Sequence, residues 1–108
     1  MEQLQRELFL GFWKAHILQQ AAHSNVYGLE IIESLARRGH RLSPGTIYPI
    51  LKRMEQAGWL ASSVETVCGK RRRNYTITPA GRSVLRTIRR ALSDLHREVV
   101  RNRAPMVD

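Results

Sequence analysis

The stretch RLSPGTIYPILKRMEQAGWL, Arg41 to Leu60, combines the marks of a helix with two prolines that helix interiors normally exclude. Its apolar residues Ile47, Ile50, Leu51, Met54 and Ala57 recur at helical spacing. Ser43 is placed to cap the helix, and Pro44 falls at the first helical position, where its missing N–H costs nothing. Gly58 supplies the stop, so the spacing predicts a helix over Pro44–Ala57. Pro49 lies inside it. Its ring would meet the Gly45 carbonyl and leave that carbonyl unpaired, which predicts a tight or kinked first turn opened toward a ligand. The face opposite the apolar stripe is Thr46, Pro49, Lys52, Arg53 and Gln56, with Tyr48 on its flank.

Upstream, Ser24 or Asn25 caps a second predicted helix, Val26–Arg38, burying Leu29, Ile32, Leu35 and Ala36, and Gly39 ends it. The first helix is read over residues 1–22. It carries one apolar stripe of Leu4, Leu8, Phe12, Ala15, Leu18 and Ala22, and a second of Phe9, Trp13 and Ile17. Two stripes require burial on two sides, which so small a domain cannot supply alone. Downstream of Gly58 the period drops to two. Leu60, Ser62 and Val64, then Tyr75 and Ile77, predict a β-hairpin whose tip, VCGKRR, is basic. Trp59 is expected in the core beneath it. Thr78 then caps a last helix over residues 79–101, with Pro79 at its first position. The seam of that helix is Val84, Ile88, Ala91 or Leu92, Leu95 and Val99.

The fold class is therefore mainly α with a small β-hairpin. A winged helix-turn-helix core (residues 26–78) is flanked by N- and C-terminal helices whose surplus apolar surface is most economically buried as a homodimer interface. The whole chain, 1–108, reads as a single domain with a short tail at 102–108.

Composition narrows the function. The net charge is +9 and the pI about 11.0 in 12.5 kDa, which points to a polyanionic partner. Residues 61–108 hold eleven Lys/Arg against four Asp/Glu, whereas residues 1–60 hold seven against five. Clustered cations of this kind gain affinity for nucleic acid through counterion release. No apolar run approaches a membrane span, and the N-terminus lacks a secretory cleavage pattern. The one cysteine, Cys68, excludes an intramolecular disulfide and makes the cytoplasm the simplest compartment. No carboxylate pair, activated nucleophile or phosphate-binding glycine loop suggests an enzyme, and no cofactor is expected. His16, His23, His40 and His96 lack thiol or carboxylate partners at metal-binding spacing.

In a helix-turn-helix the second helix of the pair enters the major groove of double-stranded DNA. Ser43, Thr46 and Tyr48 are accordingly expected at phosphates, and Lys52 and Arg53 at phosphate or base edges. Pro49 shapes the entrance. Lys70, Arg71, Arg72 and Arg73 form a wing that follows the backbone or enters a minor groove. Two rivals share this charge or this fold. A non-specific RNA- or DNA-binding architectural protein would need no palindrome, and a winged-helix protein adaptor would not need the cationic run.

The motifs LSPGTIYPILKRMEQAGWL and GKRRRNYTITPAGR resemble those of the PadR family of bacterial transcription regulators, in its smaller subgroup, and the likeness extends over about Leu8 to Val99. The resemblance implies a winged-helix dimer, joined through the first and last helices, that represses promoters and is released by a small molecule or other signal. Where the family often has His-Gly-Tyr, this chain has Tyr27-Gly28-Leu29, so Tyr27 substitutes at a backbone contact. The resemblance also allows an aromatic effector in a pocket of Phe9, Phe12, Trp13 and Ile17 with Leu92 and His96; the same aromatics serve equally as packing. Cys68, two residues before the cations, is either an oxidation sensor or incidental.

Overall fold

The computed structural model describes residues 2–101. Its order is α1 (Glu2–His23), β1 (Val26–Tyr27), α2 (Gly28–Arg37), α3 (Pro44–Gln56), β2 (Leu60–Val67), β3 (Lys70–Ile77) and α4 (Pro79–His96), then a π-helical turn over Arg97–Arg101. The sheet has three antiparallel strands in the order β1-β3-β2. The tail expected at 102–108 lies outside the described residues.

The apolar stripe of α3 is the centre of the core. Ile47, Ile50, Leu51 and Met54 are all buried, against Ile17 and Leu18 of α1, Ile31 and Leu35 of α2, and Leu60, Tyr75 and Leu85. Helix periodicity turns these positions inward as one face. Both helices of the pair end in the same way. Gly39 and Gly58 adopt φ of +91° and +85°. After α2, Gly39 N–H donates to Ala36 and His40 N–H to Leu35; after α3, Gly58 N–H donates to Glu55 and Trp59 N–H to Met54. This is the Schellman closure, and it requires a residue without a β-carbon penalty at the left-handed position.

Three expectations need correction. Val26 and Tyr27 are not helical: they pair with Tyr75 and Asn74 of β3, and α2 starts at Gly28. The phase of α2 shifts with its start, so Ile31 and Leu35 are buried while Leu29 is 59% exposed. The cations are also not in the hairpin tip. The turn is Cys68–Gly69 alone, with φ of +52° and +78°, as a two-residue hairpin of the primed type requires, and Lys70–Arg73 form the first half of β3. Finally, α3 is continuous α-helix from Pro44 to Gln56, with Pro49 inside it. Tightening is confined to the start, where the N–H groups of Thr46 and Ile47 both donate to the Ser43 carbonyl at 3.0 and 3.1 Å. Gly45 and Pro49 are both exposed, so the Gly45 carbonyl that Pro49 cannot bond faces solvent and no break is needed.

Thr78 joins the wing to α3. Its hydroxyl oxygen accepts the Gly81 N–H at 3.0 Å, the N-cap role expected of it, and its O–H donates to the Gly58 carbonyl at 2.6 Å. Its N–H donates to the Trp59 carbonyl at 3.1 Å. At the other extreme, every described residue from Ala91 onward is exposed, Leu92, Leu95, Val99 and Val100 included, as are Leu4, Leu8 and Phe12 of α1. Among the described residues no helix is long and apolar enough to cross a membrane.

Candidate nucleic-acid interface

The outer face of α3 carries Thr46, Pro49, Lys52, Arg53 and Gln56, all exposed, with Ser43 at its N-cap position. Ser43 Oγ lies 3.3 Å from Thr46 Oγ1, so the two hydroxyls bond each other and the Ser43 side chain does not cap the backbone. Pro44 has no N–H and the Ser43 carbonyl takes those of Thr46 and Ile47, so at this helix start the hydroxyls of Ser43 and Thr46 and the positive end of the helix dipole are what suit a phosphate. Tyr48 leans toward the N-terminus of α2. A β-carbon on Gly28 would lie 2.5 Å from the Tyr48 ring, so the glycine is what lets the ring seat there.

Alternation along β3 divides the four cations. Register pairs Arg71 with Thr66 and Arg73 with Val64, on the face that also carries the buried Tyr75 and Leu60. Arg73 donates to Ser62 Oγ at 3.0 Å, and Ser62 donates to Glu55 of α3 at 2.7 Å. Lys70 and Arg72 occupy the opposite face. There Arg72 sits 4.9 Å from the centre of the Tyr27 ring, a cation–π distance. Lys70 and Arg71, nearest the turn, are held by the backbone ladder, and their side chains make no hydrogen bond or ion pair among the described residues. Tyr27, Gly28, Tyr48 and Arg71–Arg73 wall a concavity of about 420 Å³ between α2 and the wing. The concavity gathers Tyr27, Tyr48 and Arg71–Arg73, while Thr46, Pro49, Lys52 and Arg53 lie on the outer face of α3 and Lys70 lies outside the concavity lining.

Tyr27 differs from expectation in its bonding. Its hydroxyl donates to Glu65, which holds the phenol's pKa above the ordinary value, with burial contributing next and Arg72 opposing. Its N–H donates to Glu30 at 2.8 Å. Sequence reasoning missed Glu65 altogether. A lone acid on the strand that pairs with a cationic one was the available signal.

The aromatic residues of α1 surround a group that sequence spacing left remote. Trp13 Nε1–H donates to His40 Nδ1 at 3.3 Å, and the Phe12 and Phe9 rings lie 4.9 and 5.4 Å from the His40 ring. The N-terminal helix is thereby tied to the α2–α3 connection. Ile17 is a core residue, fully buried, and Leu92 and His96 are exposed on the projecting half of α4, away from the core. Fully buried as it is, Ile17 cannot line the expected pocket. Cys68 is exposed at the hairpin turn. No cluster of three or more metal-ligating groups occurs among the described residues.

His16 bonds Ser34 at 3.0 Å, and Ser34 also accepts from Arg38 at 3.0 Å. Burial, with the Arg38 charge second, lowers the His16 pKa below 6.5. A histidine depressed in the folded state binds its proton first in the unfolded chain. Stability contributed by the neutral ring is therefore complete above pH 6.5 and is lost as pH falls through 6.5 toward the lower folded value. Melting temperature should drop between pH 7.5 and 5.5, and His16→Gln should flatten that dependence. An unchanged pH slope in the variant would assign the loss to other groups.

These elements, a helix pair closed by a short glycine turn and followed by a hairpin, define a winged helix-turn-helix protein. The family model described as the transcriptional regulator PadR-like family matches residues 17–87, and the chain belongs to that family. It is 48% identical over 87 residues to Transcriptional regulator Rv3488 of Mycobacterium tuberculosis, covering 81% of each chain. Among solved structures it resembles a PadR family transcriptional regulator from Eggerthella lenta, with TM-score 0.75, 31% identity, and 87% and 83% of the two chains covered. A PadR family regulator from Clostridium difficile gives 0.69 at 27% identity, covering 79% of this chain and 94% of that one. The protein is a transcriptional regulator of this family and not an enzyme.

Proposed function

We propose that this regulator is a sequence-specific repressor that binds a double-stranded DNA operator as a homodimer in the cytoplasm and is released by a small-molecule or redox signal. One observation carries the reading: the inner face of α3 is wholly buried while its outer face leaves Thr46, Lys52 and Arg53 exposed, as Lys70 and Arg71 are on the wing that follows it. Two copies related by a two-fold axis would set their α3 helices in half-sites about one helical turn apart. The exposed apolar residues of α1 and of the end of α4 support the homodimer, since no single chain covers them. The Phe9–Phe12–Trp13–His40 cluster supports a small-molecule signal, because it abuts the connection into α3. The exposed Cys68 beside the wing supports a redox one.

Selection of bound sequences from random duplex DNA at two salt concentrations tests the reading. A palindromic motif that persists at the higher salt is the expected result. Binding without enrichment would make the protein architectural, and no binding would favour an adaptor.

A further inference from the structure

Glu65 is an isolated acid in the most basic part of the fold, and it is fully engaged. One carboxylate oxygen accepts the Tyr27 O–H and the other accepts Asn74 Nδ2–H at 2.6 Å. The three residues lie on three different strands, with Tyr27 opposite Asn74 and Glu65 opposite Arg72. The Tyr27 side chain therefore crosses over β3 to reach β2. Asn74 is buried, so its amide needs the acceptor that Glu65 provides. The ring held in this position is the one on which Arg72 rests. Arg72 thus has a π face beneath it and a carboxylate directly across the ladder.

From this geometry we propose that Glu65 is a positioning residue that holds Arg72 on Tyr27 and keeps it from DNA, so that Lys70 and Arg71 carry the phosphate contacts of the wing. The proposal rests on the DNA-binding reading above. A cation stacked on a ring and facing a carboxylate gains less by neutralising a phosphate than one exposed to solvent alone. The clamp limits sequence-independent affinity, and with it the competition that random DNA offers an operator.

The test is a double-mutant cycle read as salt dependence. Affinity for one random duplex is measured between 50 and 200 mM salt for the full chain, for Glu65→Ala, for Arg72→Ala and for the pair, with Arg71→Ala as reference. A single phosphate contact changes the slope by about 0.9, or about threefold in affinity over this range. Arg72→Ala alone should leave the slope unchanged. In the Glu65→Ala background it should reduce the slope by about one contact, because the freed guanidinium then reaches phosphate. Equal effects of Arg72→Ala in both backgrounds, or none in either, would overturn the proposal: the first makes Glu65 only a background charge, the second makes the clamp irrelevant to DNA. Glu65→Gln keeps the side-chain shape and one acceptor, and it repeats the cycle should the alanine variant melt early. Arg71→Ala should flatten the slope in every background. If it does not, the wing is not a phosphate contact and the DNA-binding reading of the wing itself fails, independently of the clamp.

Discussion

Replacing Gly81 by Ala is expected to lower stability by about 2 kcal/mol or more, although helix propensity alone gives the opposite sign. Gly81 lies in the first turn of α4, where alanine normally gains up to about 1 kcal/mol over glycine. Here an added β-carbon would lie 2.1 Å from the Trp59 carbonyl oxygen and 2.8 Å from Ile77 Cγ1. The first obstacle is backbone and cannot rotate away. Shifting α4 outward would strain the hydrogen bonds that Thr78 makes to Gly58, Trp59 and Gly81. Overpacking of this sort costs about 1–3 kcal/mol, and a lost N-cap about 1 more, which together exceed the propensity gain. In a domain whose total stability is about 5–15 kcal/mol, the melting temperature should fall by on the order of 10 °C. Gly45→Ala is the control. Its β-carbon would meet only Ser43 Oγ at 3.7 Å, so there the propensity gain should appear as a small rise. A Gly81→Ala protein that melts as high as the parent would mean that the α3–α4 junction yields without cost.

The same junction shows how far the sequence is legible. Gly58, Thr78 and Pro79 are readable because each acts on its immediate neighbours: a left-handed stop, a cap and a first-turn proline. The inward stripe of α3 is readable because helical periodicity is local. Strand β1 is not, since two residues carry no period and their strand character comes from Tyr75 and Asn74, far along the chain. That omission displaced the burial phase of α2 by one residue and exposed Leu29. Of the candidate site, the exposure of the α3 and wing cations was legible, but not the bonding around them. Glu65 is 38 residues from Tyr27, and His40 is 27 from Trp13. Such pairs are made by the packing of elements, which spacing along the chain does not encode. The Pro49 expectation held only in part: the first turn is tight, but α3 runs on without a break. Proline disturbs a helix by a ring clash and by a lost hydrogen bond, and the exposure of Gly45 eases the second, since water can replace that bond.

The largest functional loss is expected from Lys52→Ala and Arg53→Ala. Both side chains are exposed on the outer face of α3, one helical turn beyond the Pro49 position and clear of the packed face formed by Ile50, Leu51 and Met54. Their removal should therefore leave melting unchanged, which separates binding from folding. A well-made contact to a base edge is worth about 1–3 kcal/mol, so each substitution should weaken an enriched palindrome by about 5- to 150-fold. Random duplex should lose only the phosphate share, a loss about threefold larger at about 50 mM than at about 200 mM salt for each charge removed. The ratio of the two losses is the decisive quantity. A ratio well above one assigns Lys52 and Arg53 to reading the sequence. Equal losses on both duplexes would assign them to positioning, and specificity would then have to come from Thr46, Tyr48 and Gln56 on the same helix or from deformation of the operator itself.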